Sequence, residues 1–140
     1  MVMKKILPAL MLMLAVSTLS CKKAVQEKQK DLLIQAMTNG VWLVDFYSEA
    51  GFDLTADFAG YEFQFLENGK VMGTKNSIIT NGTWMGDINT QTISSDFPGA
   101  PYPLDRLNGT WKITDSYLDY VKSEMGTGAT RNILYLKKKV

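Results

Sequence analysis

The residue best placed for covalent chemistry is Cys21, the single cysteine of the chain. It follows Lys4 and Lys5, an apolar run from Ile6 to Val16, and Thr18-Leu19-Ser20. Basic, apolar and small residues in that order form a secretory signal ending at a processing site. Thr18-Leu19-Ser20-Cys21 resembles the lipobox cut by bacterial signal peptidase II, with Thr18 where Leu is usual. Cleavage there removes residues 1–20 as a signal peptide and leaves Cys21 with a diacylglycerol on its sulfur and an acyl chain such as palmitate on its amine. The thiol is then consumed as a membrane anchor, because several acyl chains together give stable attachment. A free cysteine buried in a core is the competing reading, but Ser20 and Lys22-Lys23 are poor flanks for a core position.

Histidine is absent. That removes the commonest general base, the Ser-His-Asp and Cys-His arrangements, and His-containing metal sites. Carboxylate, lysine or tyrosine chemistry remains, but no paired-carboxylate motif stands out, so the sequence assigns no catalytic residue, no enzyme activity and no cofactor. Glu49, Asp53 and Asp57 share one loop and carry the oxygen chemistry calcium needs. Without a calcium-loop motif they read as a solvated acidic loop with an Asx-type turn at Asp53 or Asp57, and Asp87-Ile88-Asn89-Thr90-Gln91 lacks the glycine and distal glutamate of such a motif. No metal is expected.

Aromatic residues offer the remaining candidates for binding. All three tryptophans lie in an Asn-Gly-x-Trp tetrad: Asn39 to Trp42, Asn81 to Trp84 and Asn108 to Trp111. Such a repeat reads as a strand entry in which Asn-Gly turns the chain and the tryptophan points inward; the functional alternative is a stacking platform for a ligand. Phe97 to Leu104 holds three of the four prolines. Proline stiffens this loop, and its Phe97 and Tyr102 either plug one end of the domain or form an aromatic flap over a ligand. The candidate ligand-binding residues are therefore Phe97, Tyr102, Trp42, Trp84 and Trp111.

These side chains must be carried by elements the remaining sequence specifies. After removal of Lys4 and Lys5, the 15 basic residues become 13 against 14 acidic ones, a net charge of −1. No basic face for nucleic acid results, since Lys22-Lys23 and Lys137 to Lys139 are solvated termini. The apolar run before Cys21 is too short to span a bilayer, and no later stretch approaches the ~20 apolar residues a spanning helix needs. About 120 mature residues support one domain with one core.

Residues 21–38 divide into a polar tether and one short helix. Its apolar positions Val25, Leu32, Leu33, Ala36 and Met37 lie near a 3.6 spacing and form one stripe over the last two turns, and Gly40 supplies the left-handed stop. From Val41 the period is two. Trp42, Val44 and Phe46 alternate with Leu43, Asp45 and Tyr47, and Tyr61, Phe63 and Phe65 alternate with Glu62, Gln64 and Leu66. Asn68-Gly69 predicts a type I′ hairpin turn to the next strand at Lys70 to Lys75. Strands are predicted next over Ile78 to Met85, Thr90 to Asp96, Gly109 to Asp115, Tyr117 to Glu124 and Arg131 to Lys137. Eight short strands with tight turns over residues 39–140 form an all-β, antiparallel up-and-down meander, which protects its edges by closing into a barrel.

The stretch Asp53-Leu-Thr55-Ala-Asp-Phe58-Ala-Gly60-Tyr61-Glu-Phe63-Gln-Phe65-Leu-Glu-Asn68-Gly69-Lys-Val71 resembles the recurring core of small lipocalin-like lipoproteins of Bacteroidota. Pro103-Leu104-Asp-Arg-Leu107-Asn108-Gly-Thr-Trp111-Lys-Ile113 resembles a later strand entry of the same family. With the apolar strand Ile133 to Leu136, the resemblance covers about residues 39–139. It implies a lipocalin-like barrel in a Gram-negative cell envelope and transfers no catalytic residue. Surface-exported members tend to carry acidic residues just after the lipidated cysteine, whereas Lys22-Lys23-Ala24-Val25 does not, which implies the periplasmic face of the outer membrane.

Two main readings follow, with an enzyme kept as a minor third. One is a membrane-anchored module binding a small apolar or amphiphilic molecule at the barrel mouth; the other is an envelope interaction protein that docks to a protein partner without a ligand cavity. Interior volume separates them, since small-molecule pockets run to about 300 Å3 or more. Trp42, Phe46, Tyr61, Phe63, Phe65, Trp84 and Trp111 are bulky candidates for the inside, against Gly73 and Gly86, and predict a largely filled barrel.

Overall fold

The computed structural model describes the backbone from Leu7 and side chains from Cys21 to Val140. The signal segment and lipobox of residues 1–20 lie wholly or, for residues 7–20, in their side chains outside the described residues. Helix α1 runs Leu7–Thr38 and is longer than the two turns predicted. Nothing between Leu7 and Gly40 breaks it: Pro8 is tolerated in a first turn, and the polar segment Lys22 to Lys30 is rich in Lys, Gln, Glu and Ala, all good helix formers. That segment is exposed, and only Leu33, Ile34 and Met37 pack on the domain core. The helix stops where expected, with Gly40 at φ 86° and the Asn39 amide donating to the Gln35 carbonyl. Among the described residues no helix is long and apolar enough to cross a membrane.

Nine strands follow: β1 (Trp42–Glu49), β2 (Phe52–Asp53), β3 (Glu62–Phe65), β4 (Lys70–Lys75), β5 (Ile78–Asp87), β6 (Thr92–Asp96), β7 (Gly109–Tyr117), β8 (Tyr120–Met125) and β9 (Asn132–Lys138). Each strand from β3 to β9 pairs antiparallel with the next, and β1 closes the barrel against β9 from Trp42↔Lys138 to Glu49↔Asn132. Eight strands therefore form the closed antiparallel barrel predicted from sequence, and the two-residue β2 is an added hairpin on the end of β1. The seam between β1 and β3 is a single pair, Trp42↔Phe63. Beyond it, the segment after β2 satisfies the open edge of β1: the Tyr47 amide donates to Thr55 Oγ1 at 2.9 Å and the Leu54 amide to the Tyr47 carbonyl.

Three local expectations are corrected. Strand β1 carries a bulge between Val44 and Phe46, and one extra residue reverses the side-chain alternation. Phe46, expected inside, turns outward against Tyr135, with ring centroids 5.6 Å apart, while Tyr47 is buried in its place. The turn at Asn68-Gly69 is not type I′, because only Gly69 has positive φ (82°). The two-residue I′ turn is instead Asn76-Ser77, at φ 52° and 65°, between β4 and β5. Finally, Asn81-Gly82 is no turn but lies in the middle of β5. Glycine is required there by crowding: an added Cβ would fall 2.5 Å from the Asp96 carbonyl and 2.8 Å from the Phe97 ring.

The antiparallel order gathers the chain into two distinct ends. One end holds α1, the start of β1, the turns β3–β4, β5–β6 and β7–β8, and the end of β9. The opposite, distal end holds residues 50–61, the Asn76-Ser77 turn, the proline loop and residues 126–131.

Candidate functional site

The barrel interior is filled. Its residual cavity is about 30 Å3, lined by side chains that include Phe63, Phe65, Val71, Ile93, Phe97 and Trp111. That is room for about one water. Gly73 makes this packing possible, since a Cβ there would lie 3.1 Å from the Phe63 ring. Gly86 does the same for α1, where a Cβ would meet Leu33 at 2.8 Å.

All three tryptophans are buried, and each indole N–H donates to a backbone carbonyl of a segment that caps the barrel. Trp42 Nε1 bonds the Met37 carbonyl at 2.8 Å, Trp84 Nε1 that of Leu66 at 2.8 Å, and Trp111 Nε1 that of Leu107 at 3.0 Å. A buried Trp requires such a partner. The tetrads thus share side-chain placement without sharing backbone form: Gly40 follows a helix, Gly82 is mid-strand, and Gly109 (φ 126°) opens β7. Asn108 braces the proline loop, its Oδ1 accepting from the Phe97 amide at 2.6 Å.

The proline loop separates its two aromatic candidates. Phe97 is 1 % exposed and packs edge-on against Phe63, with centroids 6.3 Å apart. Tyr102 is 46 % exposed at the distal end. Its hydroxyl donates to Asp57 Oδ2, and the Arg106 guanidinium lies 5.5 Å over its ring. Arg106 Nε is 3.6 Å from Glu49 Oε1, which also accepts from the Tyr47 hydroxyl at 2.6 Å. Arg106 was silent in the sequence; its position in a short 3-10 helix, Leu104–Leu107, right after the prolines is the signal that could have found it. The hydrogen bond to Asp57 raises the Tyr102 pKa, and burial followed by the Glu49 hydrogen bond raises that of Tyr47. Asp53, in the same loop, is used locally: Oδ1 accepts from the Thr55 amide at 3.0 Å and hydroxyl at 2.6 Å, which lowers its pKa. Asp87 closes a comparable turn by accepting from the Asn89 amide at 2.8 Å.

The other end of the barrel carries an apolar groove of about 260 Å3 between α1 and the β7–β8 hairpin. Leu32, Leu33 and Ala36 form one wall and Tyr117, Leu118 and Val121 the other. Cys21 is exposed on α1.

No family model matches the sequence, and no curated protein is significantly similar to it. The fold resembles the crystal structure of a DUF4847 family protein from Bacteroides vulgatus, with a TM-score of 0.55 and 12% identity over 77% of this chain and 99% of that one. At that identity the likeness extends to the fold alone.

Proposed function

We propose that the chain is a non-enzymatic, lipid-anchored module of the cell envelope that acts by docking to a protein partner rather than by enclosing a small molecule. The observation that carries this reading is the interior cavity of about 30 Å3, an order of magnitude below a small-molecule pocket. The order of basic, apolar and small residues ahead of Cys21 supports the anchor, at the periplasmic face of the outer membrane, and the barrel resembling a Bacteroides protein fits the lipocalin-like lipoprotein group. With the anchor on α1, the distal cap points away from the membrane. There Tyr102 and Arg106 are held by Asp57 and Glu49 before any partner arrives. Tyr and Arg are the residue types that dominate interface energetics, and a preorganised pair loses little entropy on binding.

Three measurements test the reading. Metabolic labelling with a palmitate analogue marks wild type and not Cys21→Ala; an unlabelled wild type removes the anchor. A thermal-shift screen of fatty acids, sterols, haem and aromatic metabolites stabilises nothing, and a compound whose stabilisation is lost in Tyr102→Ala restores the ligand reading. A photocrosslinker at position 102 in the native host gives one discrete protein adduct that Arg106→Ala weakens. No adduct from that position refutes docking through the cap.

A further inference from the structure

Helix α1 has two apolar faces, and the barrel covers one of them. Leu33, Ile34 and Met37 pack against the core. Cys21, Val25, Leu32 and Ala36 fall within roughly 60° of one another on the neighbouring face, given 3.6 residues per turn. Val25 and Leu32 are more than half exposed. Leu32 and Ala36 also form the rim of the groove whose far wall is the β7–β8 hairpin, and that hairpin ends in Tyr117 and Leu118, 68 % and 60 % exposed. Apolar residues thus run along this face from Cys21 to the hairpin tip, interrupted for one turn by Lys28 and Gln29.

We propose that this strip rests on the lipid bilayer, so that α1 lies along the membrane surface with Leu118 and Tyr117 inserted at the headgroup level and the distal cap held outward. The inference deepens the anchored reading above and rests on acylation of Cys21. Nearness to the acylated residue decides the occupant. Cys21 shares a helix face with Leu32 only about 16 Å away at 1.5 Å per residue, so the acyl chains bring this strip to the bilayer before any other surface. The composition fits an interfacial seat, with a tyrosine beside aliphatic residues and lysines on the flank. Attraction is apolar rather than electrostatic: Lys22, Lys23, Lys28 and Lys30 are matched in number by Glu27, Asp31, Asp115 and Asp119, and Lys137 and Lys139 are paired with Asp45 and Glu62. Docking therefore persists on uncharged lipid and in high salt.

The test uses the full lipoprotein purified from membranes and reconstituted into phosphatidylcholine vesicles. Acylated Cys21 leaves an introduced cysteine as the only free thiol, so Leu118→Cys and, at the distal end, Ile79→Cys each accept one environment-sensitive fluorophore. Both positions are exposed, which keeps folding intact. Brominated phosphatidylcholine is expected to quench the fluorophore at 118 and leave that at 79 bright, equally in low and high salt. Thiol titration of wild type separates the two layers of the argument. A reactive Cys21 overturns the anchored reading and this proposal with it; a blocked Cys21 with no extra quenching at 118 overturns the proposal alone. A change at 118 that follows protein density instead of brominated lipid means a second copy covers the strip, which also overturns it.

Discussion

Replacing the tryptophans by phenylalanine and by alanine separates what their volume does from what their indole N–H does. Trp111 is 1 % exposed and lies edge-on to Tyr47 at 6.4 Å, so Trp111→Ala removes a fully packed ring and costs about 3–5 kcal/mol. For a domain of this size each kcal/mol is about 4–8 °C, which lowers the melting temperature by on the order of 20 °C or prevents folding. Trp111→Phe keeps most of the volume and loses the bond to the Leu107 carbonyl. That carbonyl still accepts from Ser95 Oγ at 2.6 Å, so no buried acceptor is orphaned and the cost falls to about 1 kcal/mol. Trp84→Phe behaves alike, since the Leu66 carbonyl keeps the Gly69 amide. Trp42→Phe differs. Its acceptor, the Met37 carbonyl, sits in the last turn of α1, where carbonyls have no intrahelical donor, so the loss strands a buried acceptor and costs about 1–3 kcal/mol. Circular-dichroism melts of the four variants are the assay. Equal shifts for Trp42→Phe and Trp111→Phe refute the hydrogen-bond reasoning, and an unchanged melt for Trp111→Ala refutes the core assignment itself.

Two further outcomes follow from packing and charge. Gly82→Ala places a methyl group against the Asp96 carbonyl and Phe97 ring and destabilises by about 1–3 kcal/mol, read by denaturant midpoint; an unaffected midpoint means that β5 and the proline loop are looser than described. Burial raises the Tyr47 pKa above its ordinary value of 10.0. The folded state therefore keeps this proton after the unfolded state has lost it, and stability that is full below pH 10 falls as the pH rises above it. Tyr47→Phe, although less stable at neutral pH, flattens that alkaline decline, and an identical slope in both proteins excludes Tyr47 as its source.

What the sequence made legible was the part of the fold written in short-range pattern. Period-two alternation located all eight barrel strands with ends within three residues, the start of β8 being the farthest off, and Gly40 marked the end of α1, because strand faces and helix stops depend on residues adjacent in the chain. The misplaced features all depend on a neighbour distant in sequence. The bulge that turns Phe46 outward and Tyr47 inward answers to β9, whose Tyr135 and Leu136 set the register. Gly82 reads as a turn until Phe97 is known to lie against it, and then a glycine in mid-strand is the sole residue that fits. The same limit governs the candidate sites. Tyr102 stood out through the prolines around it, but nothing local pairs it with Asp57, 45 positions away in sequence, and the Arg106 that covers its ring was marked only by its place just after those prolines. Burial then divided residues the sequence had grouped: Phe97 and the tryptophans close the barrel, and Tyr102 alone of the aromatic candidates stays on its surface. A filled barrel with a prearranged Tyr–Arg pair at its distal end and exposed apolar residues at the end that carries α1 offers surfaces rather than an interior, so recognition by this fold is expected from outside the barrel.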